Sequence, residues 1–119
     1  MGYSLKSLTV ELVNKNMADD GLVAFGQNTT GLGGALESLA RPMHTISLVG
    51  DKIVITPFTN KEIHFDKAFA FSRNNIASAK VSGLLTGTLK IVMSSGKKYS
   101  YNIMQGKSQV KQILNKLGL

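Results

Sequence analysis

His44 and His64 are the only side chains in this sequence that ordinarily titrate near neutrality, so acid/base or metal chemistry would have to begin with them. They are widely separated, and neither belongs to an H-x-x-x-H arrangement, the spacing that sets two imidazoles on one helical face for zinc. Both are expected as surface or rim residues, His64 opposite Thr56 and His44 at a strand end. There is no cysteine to act as nucleophile or thiolate ligand. No G-x-S-x-G occurs, and Ser94-Ser95 runs into Gly96 as hairpin-turn sequence would. Among the carboxylates, Asp19-Asp20 and Asp51 read as turn formers. The expectation is a chain with no catalytic residues, no metal site, no cofactor and no small-molecule substrate, and therefore not an enzyme.

Phosphate chemistry fares no better. Gly106-Lys107-Ser108 looks like the tail of a nucleotide-binding loop, but the earlier glycine such a loop needs would fall where Tyr101 stands. A helix starting there could hold one anion on its free amides, although capping by Ser108 is the preferred reading. Gly31-Leu32-Gly33-Gly34 has no strand leading directly into it and reads as loop.

Charge carries the positive signal. Lys67 to Leu119 holds nine basic residues and no carboxylate, whereas residues 1–66 hold five basic and seven acidic ones. Same-sign accumulation costs self-repulsion, so a basic face meeting an acidic partner is the natural hypothesis. Lys90, Lys97 and Lys98 are its first candidates, with Lys67, Arg73 and Lys80 behind them. A protein partner, or self-association of acidic and basic parts, ranks first. Anionic membrane lipid is the alternative, with Leu84 and Leu85 as an apolar tip for insertion, against packing over a barrel mouth. Nucleic acid ranks lower, since it favours exposed aromatics among the basic residues, whereas Phe65, Phe69, Phe71, Tyr99 and Tyr101 read as core.

The elements that must position these residues are mostly β. Leu5, Leu8 and Leu12 predict a helix over Ser4 to Asn16, then a turn and a short strand over Leu22 to Phe25. Gly26 to Pro42 reads as a Gly/Thr-rich connection, with a brief helical turn around Leu32, Leu36 and Leu39. Gly50-Asp51 as a two-residue turn pairs Leu48 with Ile53 and Ile46 with Ile55. A second hairpin through Thr59-Asn60-Lys61 sets Ile55 opposite Phe65. Runs at Ala68 to Arg73 and Ile76 to Val81 follow. The loop Ser94-Ser95-Gly96 then makes Val92 face Lys98 and Lys90 face Ser100, so that Lys90 and Lys98 are diagonal neighbours on the outward face. Val110, Ile113, Leu114 and Leu117 form one stripe of a closing helix. The count is seven strands.

At 119 residues the chain fits one domain: residues 1–20 a helix and turn, 21–105 a partly open β barrel, 106–119 a capping helix. No apolar run approaches the about 20 residues of a membrane span, and the absence of cysteine suits a reducing compartment. A cytoplasmic protein is expected, with peripheral attachment at the inner face of the membrane as the alternative.

Three stretches, ISLVGDKIVITPF, FSRNNIASAKVSGLLTGTLKIVMSSGKKYSYNI and SQVKQILNKLGL, together with the order of elements, resemble the pleckstrin-homology superfold, in particular bacterial PH-like and GRAM-type domains. The resemblance covers about Leu22 to Leu119. It implies an α+β, mainly β fold, a seven-stranded barrel capped by a C-terminal helix and used as a binding module. The phosphoinositide pattern of that family, a lysine followed by Lys/Arg-x-Arg across the first two strands, is not met, since Arg41 is the only basic residue from Leu22 to Val49.

Overall fold

A computed structural model describes residues 2–29, 43–84 and 86–119. The elements are helix α1 (Leu5–Asn14), strands β1 (Val23–Asn28), β2 (Met43–Val49), β3 (Lys52–Phe58), β4 (Phe69–Ser72), β5 (Ile76–Ser82), β6 (Gly87–Met93) and β7 (Lys98–Gln105), and helix α2 (Lys107–Lys116). The strands form one antiparallel sheet in the order β4-β3-β2-β1-β7-β6-β5, curled into a half-barrel. The helical turn expected around Leu32, Leu36 and Leu39, and the glycines Gly31, Gly33 and Gly34, lie outside the described residues.

Alternation drives the curl. Ile46, Leu48, Ile53, Ile55 and Phe71 project from one half of the sheet towards Leu89, Ile91, Tyr101 and Ile103 of the other, and Val110, Ile113 and Leu114 of α2 close over them. Because side chains alternate along a strand, the opposite face carries a second set. There Val23, Phe25 and Phe58 meet Leu8 and Leu12 of α1. Thus the N-terminal helix docks on the outer face of the β1–β3 half, burying both leucines completely.

Both helices stop by the same device. In α1 a Ser4/Ser7 capping box starts the helix, and Asn16 in the left-handed region ends it while the Met17 amide donates to the Leu12 carbonyl. In α2 the Gly118 and Leu119 amides donate to the Asn115 and Leu114 carbonyls, and Leu119 packs on the core. Each wrap-round satisfies terminal carbonyls and tucks an apolar residue back against its own helix.

The hairpin registers agree with the sequence reading at two of three places. Leu48 pairs with Ile53 and Ile46 with Ile55, and Val92 pairs with Lys98 and Lys90 with Ser100, with Gly96 at a φ of +91° in the turn. The second hairpin differs. Ile55 pairs with Phe69, not Phe65, because Phe65–Lys67 coils into a short 3-10 turn before β4 begins. His64 accordingly does not pair with Thr56; its amide donates to the Pro57 carbonyl. Since the slip is an even number of residues, the same face stays apolar.

Two further expectations are corrected. β1 runs three residues past Phe25, because Gly26 and Gln27 pair with both β2 and β7 and Asn28 pairs with Tyr101 of β7. Ser108 is not the cap of α2; Gly106 is, and Ser108 instead bonds Gln109.

Candidate functional site

The outer face of the sheet is divided in two. α1 covers the β1–β3 half, and among the described residues nothing covers the β5–β7 half. On that second half the registers set out three transverse rows: Ser82, Thr88 and Asn102; Lys80, Lys90 and Ser100; Ser78, Val92 and Lys98. Lys80 and Lys90 are therefore direct cross-strand neighbours, with Lys98 diagonal to Lys90. All three lysines are exposed, and none has a carboxylate partner among the described residues. A groove of about 430 Å³ runs beside them, lined by Thr29, Lys90, Ile91, Val92, Lys98, Tyr99 and Ser100. The Thr29 hydroxyl donates to Ser100 Oγ at 3.0 Å, tying the end of β1 to that groove.

The six basic residues singled out from sequence do not share one surface. Lys97 turns the other way from Lys98, its ammonium 5.7 Å from the Tyr99 ring centroid. There it lines a second groove, about 310 Å³, with Asn75, Met93, Ser94, Ser95 and Tyr99. Arg73 is committed elsewhere: Nε donates to the Leu117 carbonyl at 2.7 Å and a terminal nitrogen to the Ile76 carbonyl at 3.2 Å, fastening the end of α2 to the β4–β5 corner. Lys67 belongs to the turn before β4, on the far side of the strand order from β5–β7. Of the helix lysines, Lys116 pairs with Asp20 at 3.0 Å. Lys107 donates to the Gly83 and Leu84 carbonyls, so it serves the β5–β6 loop and not an anion at the helix start.

That loop shows Leu84 to solvent almost entirely, at 98% exposure. The alternative of Leu84 packing over a barrel mouth does not hold; Leu85 lies outside the described residues. Phe69, read as core, is 42% exposed because β4 is an edge strand, while Phe71 is buried against Tyr99. Phe65 packs only partly, under Lys15, in the α1 cluster.

His44 departs most from expectation. It is buried, not on the rim, because β2 is flanked by β1 and β3 and its inward face meets Tyr101, the rings 6.1 Å apart and edge-on. His64 is half-buried, 3.9 Å from a Glu62 oxygen. Among the described residues no group of three or more His, Asp or Glu side chains could hold a metal ion, and no helix is long and apolar enough to cross a membrane.

Burial pushes the Tyr101 hydroxyl well above the ordinary tyrosine range, and neighbouring Tyr99 adds to the shift. The phenolate therefore forms more readily in the unfolded chain, where tyrosine ionises near pH ~10. The stability tied to this group is complete below that pH and is lost as pH rises through the raised folded value. The thermal midpoint is expected to fall above about pH 10, and to fall less steeply in Tyr101→Phe.

Comparison with protein-family models gives no match, and comparison with curated proteins gives none.

Proposed function

We propose that this chain is a non-enzymatic binding module of the pleckstrin-homology-like type, and that it recognises an acidic partner, protein or otherwise, through the basic outer face of β5–β7. Seven antiparallel strands closed by a C-terminal helix are what that resemblance implies, and they support the assignment. The observation that carries the functional reading is the direct opposition of Lys80 and Lys90 on a face that no described residue covers, with no carboxylate partner among the described residues. Like charges facing each other across an antiparallel pair are destabilising. An anion laid across the row would turn that cost into binding energy, and the Ser and Thr hydroxyls beside the lysines supply donors for it. The bacterial cytoplasm, with its membrane inner face, is the setting this reading implies.

Titration with a fluorescent poly-glutamate peptide tests it. The parent protein is expected to bind, with affinity falling as salt rises. Lys90→Glu/Lys98→Glu is expected to bind at least about ten-fold more weakly, each lysine near an anionic surface being worth about 1 kcal/mol. The same variant should melt no lower than the parent, because Lys80 then faces a carboxylate across the strands. Equal binding by parent and variant would remove the reading.

A further inference from the structure

We propose that the β5–β6 hairpin is a membrane-docking tip, and that the acidic partner inferred above is the surface of an anionic bilayer. The inference rests on that reading of the β5–β7 face and adds to it the apolar end of the same hairpin.

Leu84 projects from the loop joining β5 to β6 with 98% of its surface exposed. The backbone that presents it is fastened: the Lys107 ammonium donates to the carbonyls of both Gly83 and Leu84. Gly83 takes a φ of +108°, and a Cβ there would lie 2.1 Å from the Thr86 carbonyl oxygen, so the turn is tight. An ammonium that water would solvate well is used to hold up a bare leucine. Met104, 50% exposed, stands at the same end of the face, one residue beyond the Ile103–Gly87 pair on β7.

From this end the face changes character in order. Leu84 and Met104 come first, then the neutral donors and acceptors of Ser82, Thr88 and Asn102, then the cations Lys80 and Lys90. A bilayer presents the complementary order: hydrocarbon, then the hydrogen-bonding glycerol and ester region, then phosphates. Lys80 precedes Leu84 by four residues, roughly 13 Å of extended strand. A tip sunk about 5–10 Å into the acyl boundary leaves the lysine ammonium groups among the headgroups, their flexible stems taking up the remainder. An acidic protein would neutralise the lysines and leave the leucine in water; a bilayer satisfies both.

The chain has no tryptophan, so Leu84→Trp places a single indole reporter at the tip. With phosphatidylcholine vesicles containing phosphatidylserine, at physiological salt, its emission should move to the blue and be shielded from an aqueous quencher. Pure phosphatidylcholine vesicles and poly-glutamate should leave it unchanged. Leu84→Asp should partition about ten- to one-hundred-fold more weakly onto the anionic vesicles, the loss expected when one leucine no longer enters an apolar phase. Its affinity for poly-glutamate should be unaltered, and its circular dichroism should match the parent's because position 84 is fully exposed. If Leu84→Asp floats with anionic vesicles as the parent does, or if the indole stays in water, the docking tip is overturned. If the parent binds poly-glutamate but not anionic vesicles, the membrane proposal falls and the acidic-partner reading stands; if it binds neither, both fall.

Discussion

Gly106→Ala is expected to destabilise the fold by about 2–5 kcal/mol, a large part of the about 5–15 kcal/mol that holds a domain of this size together. Two terms contribute. Gly106 sits at a φ of +94°, where a side chain costs about 1–2 kcal/mol. An added Cβ would also lie 2.6 Å from the Ala24 Cβ and 2.7 Å from its Cα. The second contact is with backbone in the central strand of the sheet, so relief would require α2 to lift off the core, and overpacking of that kind costs about 1–3 kcal/mol. Gly96 supplies the control. It has a φ of +91° with nothing within 4 Å of an added Cβ, so Gly96→Ala should show the conformational term alone. Denaturant midpoints that fall equally in the two variants would refute the close packing of α2 on β1.

Leu8→Ala/Leu12→Ala is the second large effect. Both leucines are completely buried, and a buried leucine truncated to alanine costs about 2–5 kcal/mol, so the pair should approach the whole stability of the domain. Part of the loss is offset by what lies beneath the helix. Ser47 and Thr56 are fully buried there, and neither side-chain hydroxyl has a hydrogen-bond partner among the described residues. Such a group costs about 1–3 kcal/mol, a cost that water would relieve once α1 loosened. Ser47→Ala in the otherwise intact protein is therefore expected to raise the denaturant midpoint, while the double leucine variant lowers it steeply. A double variant with an unchanged midpoint would mean that α1 contributes nothing to the fold.

What could be read from the residues was whatever one turn or one helix encodes. Gly50-Asp51 fixes the pairing of Leu48 with Ile53, and Ser94-Ser95-Gly96 fixes that of Val92 with Lys98, because loop length sets register. The outward direction of Lys90 and Lys98 follows from the same short-range count. Phe65 shows the limit of that reasoning: the three-residue 3-10 turn Phe65–Lys67 and Ala68 after it move the pairing with Ile55 on to Phe69, where alternation alone would have placed Phe65 in the strand. Arg73 and Lys107 carried no sign of their fates, since the Leu117 carbonyl that Arg73 bonds and the Gly83 carbonyl that Lys107 bonds are distant in sequence.

Local pairing, helix stripes and the segregation of charge are legible in the residues alone, because these depend on neighbours a few residues apart. Folding in three dimensions sets which strand lies between the two halves, which half of the outer face α1 covers, that His44 is buried, and that Leu84 and Met104 share one end of the face. Those outcomes depend on contacts between distant segments: Gly26 and Gln27 become strand because β2 and β7 offer partners on either side, and Asn28 because β7 does. A carbonyl or amide takes the partner that folding brings to it, and nothing in its own neighbourhood announces which that will be.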